Sequence, residues 1–157
     1  MRKYLLLATA IVFFTACATG GGNDSEEGTD EKPEMSSEDA MKFEQYMVAG
    51  ETLYLQYCSQ CHQPMGTGLS ELYPPLTKSD YLQNNFEDVL CILRYGKSGE
   101  IVVNGKTYNQ MMPAQPQLTD LEIAEIATYV YNSWGNSRGL IAVTEVTPVL
   151  TACEDAQ

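Results

Sequence analysis

The chain is short of base and nearly without histidine. Nine Lys and Arg stand against 21 Asp and Glu in 157 residues, a formal net charge of −12. A cation-lined groove for nucleic acid needs the opposite balance, so a polyanionic partner is not expected. His62 is the only histidine, which excludes any site built on two imidazoles. No apolar run approaches the ~20 residues that cross a bilayer as a helix. No internal repeat is visible, and no β-rich run is long enough for a large sheet. What remains is room for one domain, since domains cluster near ~100–150 residues, and an apolar fraction of 44%, which suits a folded core. The five cysteines then require a chemical explanation.

The composition divides the chain. Met1-Arg2-Lys3 precedes an uncharged apolar run from Tyr4 to Phe14, which ends in the small residues Thr15-Ala16. This pattern reads as a secretory signal over residues 1–16. Phe14-Thr15-Ala16-Cys17 resembles the lipobox of bacterial lipoproteins, with Phe14 where Leu is usual. The resemblance implies a lipid on Cys17 and attachment to a membrane, facing the periplasm or the outer surface. The alternative is a plain cleaved signal with an incidental cysteine. From Ala18 to Asp39 eight acids face Lys32 alone, with almost no apolar side chain. Such a segment cannot bury enough surface to offset its ordering entropy, so residues 17–39 are expected to be a solvated tether. Residues 40–157 are then the folded domain, with its first helix starting near Ser37.

Periodicity outlines that domain. Met41, Phe43, Met47, Leu53, Tyr54 and Tyr57 recur at helical spacing and lead into Cys58. A second helix is expected over Phe86 to Tyr95, capped by Asn85 and stopped by Gly96, with Phe86, Val89, Leu90 and Leu93 inward. Ile101 to Tyr108 reads as a small hairpin around Asn104-Gly105. The last long helix has Thr119 as N-cap, Glu122 completing a capping box, and an exit at Trp134-Gly135. Its apolar arc is wide enough to leave only Glu122, Glu125, Thr128 and Asn132 for water. Thr147-Pro148 suggests a cap and first helical position for a short terminal helix over Val149 to Ala156.

Cys58-Ser59-Gln60-Cys61-His62 is C-x-x-C-H, the attachment sequence for c-type haem. Two thiols on one tight turn can each add to one of two neighbouring vinyl groups, and the next residue offers an imidazole to the iron. The competing readings are a thioredoxin-like dithiol, which expects a βαβ setting, and half of a zinc site, which needs two more spaced ligands. No βαβ pattern is read around the motif, and Cys91 and Cys153 do not offer the spacing of two further zinc ligands.

From Gly50 to Asn136 the chain resembles a bacterial class I monohaem cytochrome c. The resemblance rests on Leu55 to His62, Tyr73-Pro74-Pro75-Leu76, Val103 to Asn109, Met112-Pro113, and Leu118 to Asn136, all in the family's order. It implies an all-α fold wrapped round one covalent haem c, with Gly50 and Tyr54 meeting the face of the last long helix that carries Ile126 and Tyr129. It also implies that the Pro74 carbonyl accepts a hydrogen bond from His62, with Leu76 against the haem; from loop chemistry alone the two prolines could simply stiffen a turn. Met112 is expected as the sixth iron ligand, since the resemblance places it immediately before proline, and proline holds the preceding backbone extended. A slip of one residue would substitute Met111, otherwise a filler at the crevice edge. Cys91 and Cys153 remain, an even pair in an oxidising compartment, and are expected to form a disulfide. The alternative is a buried Cys91 and a free thiol in the tail.

A haem held by His62 and Met112 leaves no open position for substrate, which favours electron transfer over catalysis, and a thioether ligand raises the potential. The expected protein is a monomeric, lipid-anchored electron carrier that is not an enzyme, whose acidic surface docks on basic patches of its redox partners. Two alternatives stay open. One is a haem-bearing subunit of a larger respiratory or dehydrogenase complex; the other is a haem that loses its sixth ligand and handles peroxide or a gas.

Overall fold

The computed structural model describes residues 36–155; the signal, the lipobox and the tether through Met35 lie outside the described residues. Six helices and one hairpin follow in order: α1 Ser37–Tyr57, α2 Ser59–His62, α3 Asp80–Asn84, α4 Phe86–Tyr95, β1 Ile101–Val103, β2 Lys106–Tyr108, α5 Asp120–Val130 and α6 Val143–Asp155. The fold is thus mostly helical. The expected tether boundary falls three residues inside α1, because Ser36 caps the helix: its Oγ accepts from the Asp39 amide at 3.1 Å. Glu38 and Asp39 then sit on the positive end of the helix dipole.

The buried stripe of α1 is Tyr46, Gly50 and Tyr54, at intervals of four. It is narrower than the expected apolar set: Met41 is 63% exposed, and Tyr46 had not been expected inside. A helix resting on a single partner buries a single ridge. That partner is α5. A Cβ on Gly50 would overlap the Glu125 carbonyl and lie 2.8 Å from Tyr129 Cβ, so the glycine sets the spacing of the crossing. Below it Tyr54, Tyr129 and Trp134 pack ring to ring, with centroids 5.0–5.5 Å apart. Gly50→Ala is therefore expected to destabilise by about 1–3 kcal/mol through overpacking, against the ~1 kcal/mol by which helices intrinsically prefer Ala. A urea midpoint equal to or above wild type would show that the crossing can relax.

Helix α4 and the hairpin have the bounds read from the sequence. Asn85 precedes α4 without capping it; its side chain donates instead to the Tyr81 carbonyl at 3.1 Å. Strands β1 and β2 pair antiparallel, Ile101 opposite Tyr108 and Val103 opposite Lys106, with Asn104 and Gly105 at positive φ.

Helix α5 starts as expected, with both arms of the Thr119–Glu122 capping box formed. Two hydrogen bonds to Thr119 hold the Glu122 carboxyl below its usual range. Its end differs from expectation, for the last regular residue is Val130. Asn136 Nδ2 takes the Val130 carbonyl at 2.9 Å, and Asn132 Nδ2 takes those of Thr128 and Gly139 at 2.7 and 2.8 Å. Side chains thus satisfy the exit carbonyls, and the chain turns early. Trp134 sits beyond the helix at φ 54°. The water-facing roles expected for Thr128 and Asn132 are corrected by the same contacts. Thr128 is fully buried and exchanges hydrogen bonds with the Ile141 backbone at 3.1 and 3.3 Å.

Helix α6 begins at Val143, with Pro148 inside rather than at its first position. The Ala142 carbonyl accepts from the Glu145 and Val146 amides and opens the helix upstream of the expected cap. Thr147 is freed to donate to Asp120 Oδ2 at 2.8 Å. Val146 and Leu150 are buried against the other helices. The Cys91–Cys153 disulfide is present, with Cα atoms 5.8 Å apart and a separation of 62 residues. Constraining an unfolded loop of that length contributes about 4 kcal/mol in the chain-entropy account. Cys91→Ala with Cys153→Ala is expected to lower unfolding free energy by that order. An unchanged urea midpoint would contradict the effect.

Candidate haem crevice

The end of α1 delivers Cys58, and one helical turn carries the rest of the motif. The Cys58 carbonyl accepts from the Cys61 and His62 amides at 3.2 and 3.0 Å. Positions i, i+3 and i+4 share a face, so both free thiols and the imidazole are presented together. Burial, and then the neighbouring Cys61, push the Cys58 thiol up to about 12, so it is a neutral S–H group.

His62 is buried, and its Nδ1 lies 3.0 Å from the Pro74 carbonyl. Burial pulls the imidazole below its usual pKa, and the Pro74 contact opposes this. The neutral ring therefore donates through Nδ1 and leaves Nε2 as a free lone pair. The Pro74 carbonyl is held in place by a folded-back loop. The Gly68 amide donates to the His62 carbonyl at 3.0 Å, and those of Leu76 and Thr77 donate to the Gly66 carbonyl at 2.7 and 3.0 Å. Gly68, at φ +65°, lies so close that a Cβ would stand 2.7 Å from the Pro74 carbonyl oxygen. Asn136 Nδ2 and the Thr77 hydroxyl then tie this loop to the chain after α5, through the Leu76 and Trp134 carbonyls at 3.0 and 2.9 Å.

Above the motif opens a crevice in two lobes. The inner lobe, about 670 Å³, is lined by Cys58, His62, Pro74 and Leu76, by Tyr81 and Leu82 of α3, and by inward side chains of α4, β1 and α5. The outer lobe, about 500 Å³, carries Cys61, Tyr73 and Met111. His62, Pro74, Ile92, Ile101 and Met112 line both. Met112 is half-buried and its backbone is pinned, since it exchanges two hydrogen bonds of 2.9 Å with Lys97. Met111 touches only the outer lobe and is 61% exposed.

The sequence motifs located Cys58, Cys61, His62, Pro74, Leu76 and Met112, and the crevice brings all six together. The positioning glycines Gly66 and Gly68 had gone unnoticed, and the asparagines Asn132 and Asn136 were noted without their hydrogen-bonding roles. A Gly-x-Gly four residues after the histidine was the available signal for the first pair.

The donor set fits a haem. The walls are apolar, the imidazole and the thioether line the same cavity, and the polar lining groups Tyr81 and Tyr131 spend their hydroxyls on Asp88 and the Leu82 carbonyl. Among the described residues no cluster of His, Cys, Asp and Glu side chains is placed to hold a metal ion, so the zinc alternative gains no support. The only sheet among them is the β1–β2 hairpin, so the βαβ setting of a thioredoxin-like dithiol is not found.

Residues 45–130 match the family described as cytochrome c oxidase, cbb3-type, subunit III, and the chain belongs to this family of c-type cytochromes. Its fold is that of a class I cytochrome c, its function is electron transfer, and the family implies covalently bound haem c. Cytochrome c-552 of Thermus thermophilus is 34% identical over 93 residues, 57% of this chain and 70% of the relative. The cytochrome c subunit of a quinone-type alcohol dehydrogenase from Gluconobacter oxydans is 26% identical over 107 residues, 66% of this chain. The fructose dehydrogenase cytochrome subunit of Gluconobacter japonicus is 34% identical over 111 residues, 64% of this chain. This chain spans only 22% and 21% of those two subunits.

Proposed function

We propose that the chain is a membrane-anchored carrier of single electrons, with one haem c bonded through Cys58 and Cys61 and with His62 and Met112 as axial ligands. The observation that supports it best is that His62 and Met112 line the same apolar crevice onto which the two free thiols open. When bound, the haem supplies a one-electron iron couple. The protein supplies everything that sets its character. Pro74 fixes the imidazole tautomer, while Met112 offers a soft sulfur that favours the reduced iron and the apolar walls of α4, α5 and β1 exclude water, and these last two raise the potential. If His62 and Met112 both held the iron, no position would be left open for substrate, which suits a carrier and not an enzyme.

The surroundings of the domain follow from the sequence. Cys17 is the lipid attachment point, residues 1–16 are removed with the signal, and the acidic tether lets the domain reach partners from an exported membrane surface. Excess acid on the chain suits redox partners with basic docking patches. A second reading, a permanent haem subunit of a dehydrogenase, is favoured by the names of the two Gluconobacter relatives.

A redox-titrated visible spectrum tests the carrier, with one reversible one-electron wave and no binding of carbon monoxide to the reduced protein as the expected result. Carbon monoxide binding at neutral pH would support the gas- or peroxide-reactive alternative. Detergent extraction separates the remaining two: a free monomer supports the shuttle, and stable co-purification supports the subunit.

A further inference from the structure

Helix α4 stands between two sets of attachments. On one side it is tied to α6 and α5. The Cys91–Cys153 bridge joins it to α6, and the Tyr95 hydroxyl donates to the Leu150 carbonyl at 3.3 Å. Arg94 Nη2 reaches Asp120 Oδ1 at 2.6 Å, while the other oxygen of Asp120 accepts from Thr147 at 2.8 Å. On the other side, Val89, Ile92 and Leu93 line the crevice.

The end of α4 holds the methionine loop. The Gln115 amide donates to the Arg94 carbonyl at 3.2 Å, and Lys97 and Met112 exchange both backbone hydrogen bonds. Gly96, at φ +77°, lets the loop lie against the helix exit; a Cβ there would stand 2.6 Å from the Met112 carbonyl oxygen. The Met112 backbone is thus held by α4, and α4 is held by α6.

We infer that α6 and the Cys91–Cys153 bridge form a brace that holds the Met112 loop against the crevice, which makes Cys91 and Cys153 positioning residues for the axial ligand. The inference rests on the assignment of Met112 as that ligand. The bridge borders a surface groove lined by Glu87, Pro148, Val149 and Ala152, so a dithiol can reach it. Exchange oxidises the dithiol to its disulfide, and Cys91 and Cys153 take up two electrons and two protons as thiols. The brace then opens without any change at the iron ligands themselves.

The test uses the oxidised holoprotein and imidazole as the probe. Imidazole takes the sixth position only when the methionine loop lifts, so its apparent affinity reports the lifted population. Cys91→Ala with Cys153→Ala is expected to keep the methionine–iron band in the absence of imidazole and to bind imidazole about tenfold tighter than wild type, within the usual range of site-to-site coupling. Thr147→Val and Tyr95→Phe, which loosen the same junction with the bridge intact, are expected to give smaller shifts in the same direction, and they keep the test open should the double variant not accumulate. Equal imidazole affinity in all variants, even with a lowered urea midpoint, would make the bridge a general stabiliser and overturn the brace. A wild-type protein without the methionine–iron band overturns the ligand assignment, and the brace with it.

Discussion

Met112→Ala abolishes the long-wavelength methionine–iron charge-transfer band of the oxidised protein and lowers its reduction potential, whereas Met111→Ala leaves both in place. The drop is expected to be on the order of 0.1 V or more, because axial ligand identity moves haem potentials across a range of about 0.8 V. The two sulfurs differ in what holds them. Met112 lines both lobes of the crevice from a backbone fixed on Lys97. Met111 is 61% exposed at the outer edge. Visible and near-infrared spectra of the two variants, with a potentiometric titration of each, decide the matter. A band lost in Met111→Ala and kept in Met112→Ala would move the ligand by one residue.

The second large effect is expected at the attachment motif. Cys58→Ala with Cys61→Ala leaves His62 and the crevice walls intact but removes both thiols. After acid–acetone extraction the colour of wild type stays with the polypeptide, and that of the variant passes into the organic phase. The variant is also expected to lose much of its thermal stability. Its inner lobe of about 670 Å³ is walled by α1, α3, α4, α5 and β1, so a group that can dissociate leaves a cavity shared by most elements of the domain. Colour retained by the variant would mean that residues other than Cys58 and Cys61 hold the group covalently.

The legible parts of the sequence were those set by local chemistry. Gly96 ends α4, Asn104-Gly105 turns the hairpin, and Thr119 with Glu122 starts α5, each through neighbours a few residues away. The errors came where distant groups compete. Helix α5 stops at Val130 because Asn132 and Asn136 take its exit carbonyls while binding the chain at Gly139 and Leu76. Pro148 looked like a helix start, yet α6 opens at Val143 because the Ala142 carbonyl takes the Glu145 and Val146 amides, which leaves Thr147 to bind Asp120 on another helix. Tyr46 was overlooked and Met41 was expected inside because periodicity does not tell how narrow the contact with α5 would be.

The same division holds for the crevice. Cys58, Cys61 and His62 form one turn, and Met112 is marked by the proline after it, so the groups that can bind iron were readable from short stretches. The walls were not. Tyr81, Ile92, Ile101 and Ile126 reach the cavity from four separate elements, and only the folded chain brings them together. Gly66 and Gly68 belong to the same class. Their role is to let the backbone approach Trp134 and Pro74, partners that the local Gly-x-Gly pattern does not name.

The most direct measurement is the mass of the wild-type peptide containing Cys58 to His62, taken from purified holoprotein that has been denatured, reduced and alkylated before digestion. The expected result is that peptide bearing one haem and no alkyl group on either cysteine, with Cys91 and Cys153 alkylated after reduction. A peptide of unmodified backbone mass carrying two alkylated thiols at Cys58 and Cys61 would contradict the account.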